Sequence, residues 1–185
     1  MEITYNTPLN EILKLTHPCR CTRCENPCKF GSGVLADGEY EKIRDYLKLN
    51  DEEAKKYFEE ITKFNTKRLR PRILRKNNLP YGRCIFYDEK IGCKIHPVKP
   101  LECKIAMGCK EYGEDLIMWF HIKHFLNQND IESLREYKNY IESGGKILPG
   151  AEIENFLDEK RKKIIENYED KKIEKDWKKE LGLKK

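Results

Sequence analysis

The chain has 185 residues, 37% of them charged and 10% aromatic, with a formal net charge of +5. That length holds one domain with a proper core, or a compact domain plus an appendage, without disulfides to replace a missing interior. The composition excludes disordered and fibrous classes and reads as soluble and globular, with a heavily ionised surface. Abundant Lys, Glu and Ile with scarce Gln resembles hyperthermophile proteins. The charge is unevenly placed. Residues 159–185 carry 11 Lys or Arg against 7 Asp or Glu, leaving 26 against 25 in the rest. A nucleic-acid footprint is a basic patch interleaved with aromatics. A mixed-sign tail is a solvated helix face instead, so nucleic acid is not an expected partner. The start "MEITYNTPLNEILKL" lacks the cationic, apolar and small-residue parts of a signal peptide. The longest apolar run, Leu116–Phe120, falls far short of the ~18 residues of a membrane span. A cytoplasmic location with reduced thiols is expected.

In chain order, residues 8–16 suit a short helix ended by Pro18. A first cysteine group follows, and then the turn-rich loop "KFGSGVLADG". "EYEKIRDYLKL" has helical apolar spacing through Ile43, Tyr46, Leu47 and Leu49. Asn50 and Asp51 form a break and cap before a second expected helix, with Ala54, Tyr57, Phe58, Ile61 and Phe64 on one face and Pro71 at its end. "CIFYDEKIGCKIH" reads as a small β-hairpin, with Ile85, Phe86 and Tyr87 in one strand, "DEKIG" in the turn and "CKI" in the return. "VKPLECKIAM" reads as a loop entering a short helix. "EDLIMWFHIKHFLNQ" is apolar almost all round and reads as a buried helix. Asp130 starts another helix, which "GGKILPG" stops. From about Ala151 one long amphipathic helix is expected, with Ile153, Phe156, Leu157, Ile164, Tyr168, Ile173, Trp177 and Leu181 on its apolar face. Its Ile153–Phe156–Leu157–Ile164 stretch should pack on the body, and the end should fray toward Lys185.

The eight cysteines fall into two groups. Cys19, Cys21, Cys24 and Cys28 lie within ten residues, and Cys84, Cys93, Cys103 and Cys109 follow downstream. Buried cysteine is a common small core residue, but four in so short a Pro- and charge-rich stretch cannot all be core. A thioredoxin-type pair needs an apolar strand before it, and "KLTHPCR" is not one. Closely spaced thiols do suit metal, because a turn aims two sulfurs at one ion. Zinc takes four ligands at about 2.3 Å. A [4Fe–4S] cluster takes four thiolates at its corners. Metal coordination is the favoured reading over inter-block disulfides. All eight cysteines are candidate ligands, in one shared centre or two four-ligand sites.

At these residues the chain resembles the CxxCxxCC zinc- or iron-chelating domain proteins, also called YkgJ-like cysteine-cluster proteins. Cys21, Cys24 and Cys28 match the first, second and fourth cysteines of that motif, and Pro27 stands in place of the third. Cys19 lies outside the pattern as a substitute thiol. The second block matches through Cys84, Phe86, Tyr87, Cys93, Ile95, Pro100 and Cys103, and departs at His96 and Lys99, where Tyr and Arg are usual. The resemblance covers residues 17–109 and implies metal binding with the metal left open. One related class, the flagellin lysine methylases, is held to join a similar cysteine-rich region to methyl transfer. The chain has neither G-x-G-x-x-G after a predicted strand nor the radical-SAM order C-x-x-x-C-x-x-C, since position 31 is Gly.

His17 and His96 flank cysteines and precede prolines, which makes them lesser ligand candidates or hydrogen-bond partners of ligands. His121 and His124 read first as a polar seam on a core helix. Lys99 and Lys104 stand close enough in sequence to lower thiol pKa values. The expected fold is mainly α with a small β-hairpin, an irregular cysteine-rich core flanked by helices. Residues 1–127 form the expected metal-binding domain, and 128–185 a helical extension packed on it. Three functions follow: a structural or redox and metal-handling zinc or iron–sulfur centre; an iron–sulfur-dependent protein-modifying enzyme; or a zinc-stapled module presenting its C-terminal helix to a protein or RNA.

Overall fold

The computed structural model describes residues 2–16, 22–106 and 112–167, with the backbone alone for 22–25. Helices α1 (Leu9–Lys14), α2 (Thr22–Phe30), α3 (Glu39–Tyr46) and α4 (Asp51–Lys55) come first. Strands β1 (Phe58–Lys63), β2 (Thr66–Pro71), β3 (Ile73–Arg75), β4 (Gly82–Cys84), β5 (Tyr87–Asp88) and β6 (Gly92–Cys93) follow. They pair antiparallel as β1–β2, β3–β4 and β5–β6. A 3-10 turn over His96–Val98 leads into α5 (Leu101–Ile105), then α6 (Gly113–Phe125) and α7 (Ile131–Glu142). Helices and small hairpins are therefore both present, as expected, but the strands are more extensive than one hairpin.

Three expectations are corrected. The second helix stops at Lys55, and residues 58–71 form the β1–β2 hairpin. Asn50 caps α4 through a capping box with Glu53. The chain then turns back at Phe64 and Asn65, whose φ angles of 46° and 53° are those of a tight hairpin turn. The apolar spacing that fits a helix also fits this hairpin, whose buried ends are Phe58 and the tip residue Phe64. The tip is pinned on α7: the Asn65 backbone N–H donates to Glu136 at 2.7 Å and its side-chain amide to Asp130 at 2.9 Å.

The first cysteine block, expected as a ligand loop, is helical from Thr22 onward, with Pro27 inside the helix. The long C-terminal helix is also revised. Residues Ile153–Phe156 form a 3-10 turn, and helix resumes over 159–167 after Asp158, whose carboxylate accepts from the Arg161 N–H at 2.7 Å. That break rotates the face: Ile165 is buried (1% exposed) and Ile164 is open (41%). Ile153 and Phe156 are buried as expected. Leu157 is partly buried against the same core, while Tyr168, Ile173, Trp177, Leu181 and the expected fraying lie outside the described residues.

The main core gathers on α6, whose Leu116, Phe120, Ile122 and Phe125 are buried. One apolar cluster joins them to Ile3 and Ile12, to Leu134 and Tyr137 on α7, and to Phe156 and Ile165. A second, smaller cluster joins Leu35, Ile43, Phe58, Phe86 and Ile95 around Cys84. No helix among the described residues is long and apolar enough to cross a membrane.

Candidate metal centre

The β-rich segment holds its cysteines through short turns. The β5–β6 pair aligns Tyr87 with Cys93, and the Lys94 N–H donates to the Phe86 carbonyl at 2.8 Å. Cys84 closes β4 opposite Ile73. The N–H groups of Phe86 and Tyr87 donate to the Cys84 sulfur, and that of Ile95 to Cys93. Hydrogen bonds of this kind favour the thiolate.

Two carboxylates strap the loop after α2 onto the second block. The Glu39 carboxylate accepts from the Ala36 N–H at 2.8 Å and from the Leu101 N–H at 2.7 Å, tying α3 to the start of α5. Burial raises its pKa, and these two bonds oppose the rise. Glu102 is 8% exposed and accepts from the Val34 N–H and, at 2.9 Å, from His121 Nε2. His121 Nδ1 accepts from Lys63 Nζ at 2.7 Å, which sets the Nε2–H tautomer. Lys63 has a lowered pKa through burial, opposed by Glu102. Gly33 fits against Cys103, where a methyl group would sit 2.5 Å from the sulfur and 2.9 Å from the backbone nitrogen. Further straps run from the Ser32 hydroxyl to the Pro71 carbonyl (2.5 Å) and from the Leu35 N–H to the Leu69 carbonyl (2.8 Å).

The result is a cavity of about 40 Å³ lined by Cys28, Cys84, Cys93 and Cys103, closed by Gly33 and Pro71, with Lys99 at its wall. A water needs roughly 10–15 Å³ of such space, so an ion has room. Soft thiolates suit zinc and iron. The donor set fits the group implied by the cysteine pattern. Among the described residues no three His, Cys, Asp or Glu already converge as an ion-holding cluster. The thiols share a cavity without closing to coordination spacing.

Burial outweighs the N–H donors at Cys84 and pushes its pKa up to about 12. Burial likewise raises Cys93 and Cys103, against the lowering influence of Lys99. Lys99 lowers both, as expected, but less than burial raises them, whereas Lys104 is exposed and does not line the cavity. His96 is exposed and outside the lining. His121 serves Glu102, and His124 is half-buried on Phe120 with a pKa lowered by burial and then by Arg68. Cys19, Cys21, Cys109 and His17 lie outside the described residues, as does the side chain of Cys24, which falls one helical turn before Cys28. Sequence reasoning missed Glu39, Glu102 and Lys63. No local pattern marks them, because apart from the Ala36 partner of Glu39 their partners lie 19 to 68 residues away.

A profile of the family described as "CxxCxxCC: Putative zinc- or iron-chelating domain" matches residues 20–130, well over half of the chain. The chain belongs to this family. The match takes in Cys21, Cys24 and Cys28 of the first block, the whole second block, the straps of Glu39 and Glu102, and all of α6. Neither the curated proteins nor the solved structures include a match. Membership brings zinc or iron chelation as the general property and leaves the choice between the two open.

Proposed function

We propose that the two cysteine blocks form one shared zinc or iron–sulfur centre, used structurally or in redox and metal handling. The lining of a single small cavity by Cys28 from the first block and Cys84, Cys93 and Cys103 from the second carries this reading. These four are the ligand set favoured here, with Cys19, Cys21, Cys24 and Cys109 as further candidates. Bound metal would supply charge to hold the sulfurs as thiolates, and in the iron case a one-electron couple. The protein's part is to bring the sulfurs to one cavity beside Gly33 and Pro71 and to donate N–H groups to Cys84 and Cys93. We take residues 1–127 as the metal-binding unit and 128–185 as its extension, a reading supported for the described part by the apolar cluster that joins Leu134, Tyr137, Phe156 and Ile165 to α6.

Metal analysis and absorption spectra of anaerobically purified protein test the proposal. Iron with sulfide and broad absorption near 400 nm gives the cluster, and leaves a protein-modifying activity open to assay. One colourless zinc per chain gives the zinc site. Full metal content in the Cys28→Ser, Cys84→Ser, Cys93→Ser and Cys103→Ser variants would overturn it.

A further inference from the structure

On the outer side of the α2–β4 wall lies an open groove of about 630 Å³, distinct from the thiol cavity. Ligand pockets run roughly 300–1,000 Å³. Its floor is the β3–β4 pair, which closes tightly because position 82 is Gly: a methyl there would sit 2.3 Å from the Leu74 carbonyl oxygen. Two large aromatics stand in the open beside it. Phe30 is 59% exposed and Tyr81 47%, with ring centroids 6.0 Å apart and planes inclined by 67°. Exposed apolar patches rimmed by polar residues mark interaction sites and ligand-binding grooves. Around them the lining places Lys29, Arg75, Lys76 and Arg83 against one carboxylate, Glu89. Arg75 is shared with Glu59 at 2.9 Å, while Lys76 and Arg83 are exposed at the rim. The Asn77–Asn78 turn, with φ angles of 52° and 58°, carries Lys76 to that edge.

From this placement we infer that the groove binds single-stranded nucleic acid, with unpaired bases on Phe30 and Tyr81 and phosphates on the Lys76 and Arg83 rim. The combination of cations along a groove with open aromatic faces is the chemistry of sequence-tolerant single-strand binding. An acidic peptide would use the cations and leave the rings idle. A duplex hides its base faces from them. The near-neutral charge of residues 1–158 argued against this partner in the sequence, because a sum does not reveal that four cations gather on one aromatic surface. The inference stands apart from the metal reading, whose test is metal content.

The test is fluorescence anisotropy of metal-loaded full chain with a labelled oligouridylate of about 10 nucleotides. Micromolar binding that weakens with salt is expected. Tyr81→Ala and Phe30→Ala change no charge, and each should weaken binding about tenfold, the equivalent of roughly 1.4 kcal/mol per stacked base. Arg83→Gln should weaken it and flatten the salt dependence by about 0.7 in log–log slope. Circular dichroism and metal content of the variants check folding, and Tyr81→Phe, which keeps the ring, should restore affinity. Four results overturn the inference: no binding at low salt; binding indifferent to both ring deletions; polyglutamate displacing the strand as well as unlabelled oligouridylate does; or equal affinity for duplex.

Discussion

Around α6 the interior is hydrocarbon, and around the thiols it is strapped backbone. Leu116, Phe120, Ile122, Leu134 and Tyr137 are essentially inaccessible, and side chains from both ends of the described chain close over them. At about 25 cal/mol per Å² of apolar surface buried, such a layer holds itself together. The cysteine-bearing half has the smaller cluster around Leu35, Ile43 and Phe86. Its loop 31–36 is fixed largely by single hydrogen bonds, to Glu102, Glu39, Pro71 and Leu69. Each such bond contributes about 1 kcal/mol net. One half therefore stands on burial. The other has less burial and more single hydrogen bonds, so under the proposed function it leans on the metal its sulfurs hold.

Metal removal should break that contrast most deeply. Apparent binding free energies of structural zinc in small peptides are about 10–16 kcal/mol, as large as the whole stability of a domain. Chelation, or Cys28→Ser, should abolish hydrogen-exchange protection over 26–36 and 84–106 while α6 and α7 keep theirs. Uniform loss across both halves would show that they are one cooperative unit, and unchanged protection would show that the thiols hold no structural metal.

Glu102 is where the halves meet, since it accepts from Val34 on one side and from His121 of α6 on the other. Glu102→Ala strands a buried N–H, an imidazole and the Lys63 ammonium behind it. Leaving a buried donor without its acceptor costs about 1–3 kcal/mol, and more where the lost partner is charged. Urea unfolding of the loaded protein should show that loss as a lower midpoint, with Glu102→Gln milder. The smaller Gly33→Ala change drives a methyl into the Cys103 sulfur and backbone. Overpacking of this order costs about 1–3 kcal/mol, and zinc or iron content should fall with it because Cys103 must move.

The same contrast governs what the sequence made legible. Helices α1, α3, α6 and α7 follow from apolar spacing, from starts such as Asp130, whose carboxylate accepts from the Glu132 N–H, and from stops such as Gly144 at φ 87°. The β5–β6 hairpin was legible because its turn is short and local. The β1–β2 hairpin was not. Phe58, Ile61 and Phe64 satisfy helical spacing, and the Asn65 bonds to Asp130 and Glu136 that favour the hairpin are 65 and 71 residues distant. The cysteines announced a metal site by spacing alone. The carboxylates that hold the cavity together left no such mark.

The smallest effect belongs to the apolar half and should be indifferent to metal. Tyr137 is fully buried on α7, and its hydroxyl donates to the Ala151 carbonyl at 2.7 Å, fastening the segment after α7. Tyr137→Phe keeps the ring and leaves that carbonyl without its donor, a loss of about 1–1.5 kcal/mol at neutral pH. Burial raises the hydroxyl's pKa above the ordinary 10.0, with Tyr140 and Glu152 adding to the rise. The folded protein therefore holds this proton after the unfolded chain has released it. Stability owed to the protonated hydroxyl is complete below pH 10.0 and is lost as pH rises beyond it. The phenylalanine variant has no such proton, so the stability gap between the two proteins should narrow above pH 10.0. Urea midpoints of both proteins at neutral and alkaline pH, with and without chelator, measure that gap. A gap constant with pH would mean that the hydroxyl ionises as easily folded as unfolded, and a gap that changes with chelation would tie α7 to the metal after all.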